Sequence, residues 1–321
     1  MSSYSDYPQT NEKDELYFRS VMNERQFRAL AYRLEQADIE NEILNNQYFE
    51  RRVRMSRNCS VKQVEQWLKS SWNTECVLMQ NTGIIIDSKQ SFCMQWAFPQ
   101  AYYAVYGSIM AMFKALGFTE NSHTAVLKKY ASMMVQNKLP ESISMCCDGI
   151  KESYEFHNIN KPKYHTNSLE LDLWDNVTID NQICRFLGST RDKRLDDKKE
   201  DFKRKFRTKK GAYRVRFEKE HWQEVSDALG STTIVDFLYR KRIKGNYEDI
   251  ETYSSEHFDG LSVLGNLLKV VNRINLVNET YIAKAIGYKN LKTIANSHLE
   301  KVDNSKLRER LTITKVILDA I

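Results

Sequence analysis

A mainly α-helical fold is predicted for this 321-residue chain, on three observations. Proline and glycine number only four and eleven, so few points break a helix. Apolar residues recur at intervals of three and four along most of the chain. One segment, "SFCMQWAFPQAYYAVYGSIMAMFKALGF" (91–118), is apolar on nearly every side, as a helix in the middle of a core must be. A chain of this length can bury a substantial core without disulfides or metals.

Residues 12–57 are expected to form two helices, because Leu16, Phe18, Val21, Met22, Phe27, Leu30 and Leu34 recur at helical spacing among Glu and Arg. Ser60 is an N-cap candidate for a third helix through "VKQVEQWLKSSW". "GIIID" (83–87) is either its continuation or a short buried strand. After the apolar helix, Gly117 suits a C-cap and Ser122 an N-cap, which makes 91–135 a tight helical hairpin. From about 137 to 230 the sequence is polar and irregular. Tyr213, Val215 and Phe217 alternate with Arg214, Arg216 and Glu218, a strand pattern over 212–218. Helical periodicity returns at "TIVDFLYRKRI" and continues in a face of Leu261, Leu264, Leu267, Leu268, Val271 and Ile274. The last 40 residues suggest one or two further helices.

The six cysteines form no C-x-x-C pair and have no His at zinc-finger spacing, so reduced, mostly buried thiols are expected and no metal or cofactor is called for. The beginning of the chain has neither a basic region nor an apolar core, and no run approaches a membrane span. A cytoplasmic location with no membrane partner is the expectation. Motifs for phosphate-binding loops, dinucleotide binding, esterases and zinc proteases are missing from the sequence. Its carboxylates show no spacing that picks out a catalytic pair.

The formal net charge is +6, and residues 191–210 account for all of it. Within 202–216, the basic residues Lys203, Arg204, Lys205, Arg207, Lys209, Lys210, Arg214 and Arg216 stand with no acid and with Phe202, Phe206 and Tyr213 among them. Cations for phosphates and rings for bases suit single-stranded nucleic acid. The same region also reads as a solvated helix, with Leu195, Phe202 and Phe206 as a narrow apolar stripe and favourable charge pairs four residues apart.

The hairpin "AYYAVYGSIMAMFKALGFTENSHTAVLKKYASMM" (101–134) and the later "LYRKRIKGNYEDIETY" (238–253) resemble HEPN domains, small helical bundles of prokaryotic toxin, abortive-infection and defence proteins. The resemblance covers about 60–140 and 231–276. It implies a HEPN-like bundle (60–140 with 231–276) elaborated by an N-terminal extension (1–59), a small basic α+β insertion (141–230) and a C-terminal helical extension (277–321). Many such proteins are metal-independent ribonucleases with an Arg-x4–6-His motif that meets its copy across a dimer. The arginine would hold a phosphate and the histidine would take the proton of a ribose 2′-hydroxyl.

Arg240 or Arg242 can fill the arginine position here, but the histidine position carries Asn246, which exchanges no proton at neutral pH. The expected site is therefore Arg240, Arg242, Asn246 and His123, with Tyr247 nearby. His123 is either part of the hairpin's structure or a phosphate contact. A literal Arg-x4-His, Arg216 to His221, diverges if 212–218 is an extended strand, and a helix starting at Glu218 would bring the two together. His157, His165, His257 and His298 are expected at the surface. The implied function is RNA binding or atypical ribonuclease action, as a homodimer. The competing expectation is a non-catalytic module that docks a protein partner.

Overall fold

The computed structural model describes residues 12–88, 94–151, 153–161, 169–203, 205–206, 211–212, 216–247 and 258–321, with backbone alone at 12–13, 87–88 and 245–247. Among these residues the helices are α1 (Glu12–Gln36), α2 (Ile39–Leu44), α3 (Gln47–Arg52), α4 (Val61–Ser88), α5 (Met94–Leu116), α6 (His123–Val135), α7 (Asn176–Lys203), α8 (Lys219–Leu229), α9 (Ile234–Tyr247), α10 (Gly260–Ile286), α11 (Tyr288–Leu299) and α12 (Ser305–Asp319). Three short strands, β1 (Cys146–Asp148), β2 (Glu155–His157) and β3 (Thr232–Thr233), form one antiparallel sheet in the order β2-β1-β3. The expected mainly helical class is observed.

Helix α5 is the axis of the molecule. Its side chains from Met94 to Ala115 are buried on almost every side, and α4, α9 and α10 pack directly against it. Its all-round apolarity is thus accounted for within one chain. Close approach of α4 depends on small residues: a Cβ added at Gly107 would stand 3.0 Å from that of Ser71, and the Ser71 hydroxyl donates to the Ala104 carbonyl at 2.6 Å. The helix ends as expected, with Gly117 in the left-handed region (φ 82°), where glycine is unstrained. Ser122 accepts a hydrogen bond from the Ala125 amide and starts α6. Ser60 caps α4 through the Gln63 amide, and "GIIID" continues that helix.

The structure departs from the sequence reading in three places. Residues 12–57 form three helices, because Asp38 and Asn46 each cap a further short one. Residues 137–230 are less irregular than expected: α7 runs for 28 residues. Its Ile179, Ile183, Phe186 and Leu187 join the main core, and Phe186 stacks on Phe237 of α9 at 4.1 Å. That spacing is helical, but the polar residues between hide it. The strand over 212–218 is not observed at the described residues of that range, Ala212 and Arg216–Glu218. Phe217 instead enters a second, smaller core with Leu195 and Val225, and Glu218 caps α8.

Two buried arginines join elements distant in sequence. Arg191 of α7 donates to the carbonyls of Gly149 and Gly230 at 2.6 and 2.8 Å and to the Ser226 hydroxyl at 2.7 Å, tying the sheet to α8. Arg310 of α12 holds Glu75 of α4 through two bonds of 2.7 Å and Glu279 of α10 at 2.9 and 3.0 Å, and Trp72 donates to Glu279 at 2.8 Å. All are essentially out of solvent. Burial pushes the Glu279 carboxyl up from its ordinary range while Arg310 draws it back down.

Removing one partner of such a group leaves buried charge uncompensated, at a cost of about 3–5 kcal/mol. Arg310→Ala is therefore expected to lower unfolding free energy by about that amount, whereas Lys315→Ala, on the exposed side of the same helix, leaves it essentially unchanged. Urea unfolding of both variants measures the difference.

Candidate functional site

The site is assembled by three helices whose starting points are set locally. Helix α9 begins at a reciprocal cap: the Thr233 amide donates to Asp236 at 2.8 Å, and the Thr233 hydroxyl accepts from the amides of Val235 and Asp236. Arg194 adds an ion pair to Asp236 at 3.1 Å. With the helix so anchored, successive residues turn by about 100°, and the basic run separates. Arg240 reaches α7, where it donates to Ser189 at 3.0 Å. Lys241 turns inward to Asn23 of α1. Arg242 faces α5.

On that face lies a tyrosine cluster. The Arg242 guanidinium stands 5.7, 5.0 and 5.5 Å from the ring centres of Tyr102, Tyr103 and Tyr239. His123, the first residue of α6, stacks on Tyr106 at 4.4 Å, and its Nδ1 meets the Tyr102 hydroxyl at 2.8 Å. Its ring centre is 6.2 Å from that of Tyr239, the tyrosine one turn before Arg242. His123 and Arg242 thus share Tyr102, Tyr103 and Tyr239 as neighbours.

The electrostatics of the pair are informative. Burial, then the Arg242 charge, lowers the His123 pKa from its ordinary 6.5, so the imidazole is neutral at pH 7. With Nδ1 engaged by Tyr102, Nε2 is the nitrogen left to meet a ligand. Among the described residues no carboxylate pairs with Arg242, and its Nε is buried without a hydrogen bond. A guanidinium held by ring faces rather than by a carboxylate keeps its charge for an incoming anion.

Beside the cluster runs a groove of about 590 Å³ lined by Trp67, Trp96, Pro99, Tyr103, Tyr106 and His123, among others. Trp96 is 57% exposed although it belongs to the most buried helix. The tyrosines and tryptophans were not singled out from sequence as site residues. The spacing of Tyr102 and Tyr106 puts them on one helical face, but in a helix apolar all round nothing distinguishes that face from the others.

Of the other expected site residues, the described ones lie elsewhere. Asn246 and Tyr247 fall in the last turn of α9, and their side chains lie outside the described residues. So do Arg204, Arg207, Lys209, Lys210 and Arg214. Lys203 pairs with Glu200. Lys205 pairs with Glu224 at 2.6 Å and lies over Phe202 and Phe206. Arg216 is exposed.

The Arg216–His221 pair does not make a site. The His221 Nδ1 accepts the Glu218 amide at 3.2 Å as part of the α8 cap, and its ring packs on Phe206 and Phe217. His298 is buried, not at the surface, and packs on Trp72. His157 is part-exposed and sits 3.0 Å from Asp148 across the sheet. His165 and His257 lie outside the described residues. The five described cysteines are free, four of them buried, and burial pushes Cys146, Cys147 and Cys184 up to about 12. Among the described residues no group of His, Cys, Asp and Glu could hold a metal ion, and no helix is long and apolar enough to cross a membrane.

Comparison with protein-family models, curated proteins and solved structures finds no match to this chain. The geometry around His123 and Arg242 therefore carries the functional reading.

Arg242 lowers the His123 pKa through space, so Arg242→Gln is expected to raise it toward 6.5 without reaching that value, because burial, the larger cause, remains. Titration of the His123 ring by NMR in the two proteins measures the shift.

Proposed function

We propose that this protein is an RNA-directed, HEPN-like protein of a prokaryotic defence or stress system, acting as an atypical metal-independent ribonuclease. In this reading His123 replaces the base that position 246 lacks. The observation that carries it is the meeting, on one tyrosine cluster at the edge of an aromatic groove, of a neutral histidine and an arginine that no carboxylate among the described residues pairs. Supporting it further, the two segments that resemble the family, the α5–α6 hairpin and α9, are the ones that contribute these side chains.

The chemistry follows from the two groups. His123 Nε2 takes the proton of a ribose 2′-hydroxyl, and the freed oxygen attacks the adjacent phosphorus. The bond to the 5′ oxygen breaks, that oxygen is protonated from solvent, and a 2′,3′-cyclic phosphate remains. Arg242 offers charge-assisted hydrogen bonds to the phosphate as negative charge builds on its oxygens. The tyrosine faces keep the guanidinium in place without neutralising it. A homodimer, as in the family, is part of the proposal.

A non-catalytic docking module is the second reading. It is favoured by Asn246 and by the described lysines of 193–205, several of which are tied to acids: Lys193 to Asp197, Lys198 to Asp201, Lys203 to Glu200 and Lys205 to Glu224.

Purified protein is expected to cleave labelled single-stranded RNA in EDTA. His123→Ala should slow cleavage by about 10²–10⁴-fold, the usual contribution of a positioned base. Arg242→Ala should slow it comparably, and Arg240→Ala should leave it nearly unchanged. Lack of cleavage by the wild type would leave the docking reading. Because the His123 pKa lies below 6.5, the neutral base is the majority form at pH 6.5. The acid limb of the rate profile is expected below that pH, and a limb centred at or above 6.5 would assign the proton transfer to another group.

A further inference from the structure

A second concentration of basic residues stands apart from the segment 203–216. It lies at the far end of α6 from His123, a helix of 13 residues and so about 20 Å away at 1.5 Å per residue. There a groove of about 630 Å³ is lined by Tyr48, Arg51, Arg52, Gln136, Asn137 and Lys138, with further amides from the α2–α3 turn and no carboxylate. Lys138 Nζ stands 5.3 Å over the Tyr48 ring. On the next residue, Lys284 Nζ stands 4.4 Å over Phe49.

Lys284 lies close enough to Arg54 for the two charges to repel, and Glu50 is the acid that offsets them. Glu50 is itself 3.4 Å from Arg51. Arg52, Arg54, Lys138 and Lys284 have no ion-pair partner among the described residues. This differs from 193–205, where lysine after lysine meets an acid. Several like charges gathered around a single acid repel one another in the free protein, and an arriving anion relieves that repulsion.

We propose that this α3–α6 face is a phosphate-binding surface that carries the backbone of a nucleic-acid strand. The choice of a strand over a single small anion rests on the layout. The cations come from three parts of the chain, with Arg51, Arg52 and Lys138 lining the groove and Lys284 of α10 over the neighbouring Phe49, and the amides of the groove suit sugar and base edges. An adjoining groove shares Asn45, Asn46 and Asn137 and carries Asp38, Glu42 and Glu141, so the strand runs on the basic side and away from that end. The phosphate chemistry stands on these residues alone. Naming RNA as the strand rests on the function proposed above.

Fluorescence anisotropy of full-length protein with a labelled single-stranded RNA tests this, with salt varied between ~50 and ~200 mM. Single-stranded contacts each contribute about 0.7 to the slope of log affinity against log salt. Arg51→Gln with Arg52→Gln is expected to make the slope shallower by about 1.4 and to weaken binding at the lower salt. Lys315→Gln, at a lysine of α12 paired with Asp319, should leave the slope unchanged.

A slope unchanged in the double variant would overturn the proposal. Binding to phosphatidylserine vesicles that depends on Arg51 and Arg52, with no such dependence for RNA, would overturn it in favour of a lipid surface. Competition by inorganic phosphate alone at millimolar concentration would reduce it to a small-anion site. Circular dichroism and melting check the fold, and Arg52→Gln with Lys138→Gln gives the same readout if the first pair unfolds. No cleavage by the wild type, with the slope still shallower in the double variant, would sink the ribonuclease reading and not this one; cleavage by the wild type with a slope unchanged in the double variant would sink this one alone.

Discussion

Everything in this structure answers to the burial of α5. A 23-residue helix with apolar side chains on all sides cannot lie at a surface, and each fully buried large side chain contributes roughly 1.5–3 kcal/mol toward covering it. Helices α4, α9 and α10 supply that cover. The contacts that form the candidate site follow from the same demand. The turn after α5 places His123 back against Tyr102 and Tyr106, and α9, in covering α5, lays Tyr239 and Arg242 on Tyr102.

An apolar helix alone would fix neither the register nor the identity of its neighbours, since oily surfaces slide. Polar groups do that here. Ser108 of α5 donates to Asn275 at 2.7 Å and accepts from Asn278 at 2.9 Å, and Asn278 accepts from Tyr130 of α6 at 3.0 Å. These bonds join the hairpin to α10 at one setting, because a shifted register would leave buried donors and acceptors unmet. Arg310 with Glu75 and Glu279 performs the same service for α4, α10 and α12, and Arg191 for α7, α8 and the sheet.

The positive charges divide into those with structural partners and those without. Arg191, Arg194, Lys205 and Arg310 each answer to carbonyls or carboxylates of the chain itself. Arg242 is held by rings, and Arg52 and Arg54 face solvent with no carboxylate paired to them among the described residues. Abundance of basic residues is therefore a poor guide to anion binding in this protein; the disposition of acids around each one is the better guide. Within "YRKRIKG" alone, helical rotation sends Arg240 to α7, Lys241 into the core and Arg242 to the site.

The sequence by itself determined the helical class, the hairpin of α5 and α6 with its Gly117 and Ser122 boundaries, and the fully buried character of α5. Those follow from local propensity, capping and the period of apolar residues, which need no knowledge of neighbours. It also picked out His123 and Arg242, though not that they belong together. Tertiary structure alone decided that pairing, since the residues are far apart in the chain and both are placed by packing on α5. It likewise decided that Trp96 is exposed in a buried helix, that Phe217 enters a second core, and that α3 and the end of α6 line one groove with Arg51, Arg52 and Lys138. Each depends on which surfaces meet, and a pattern read along one chain carries no term for the surface opposite.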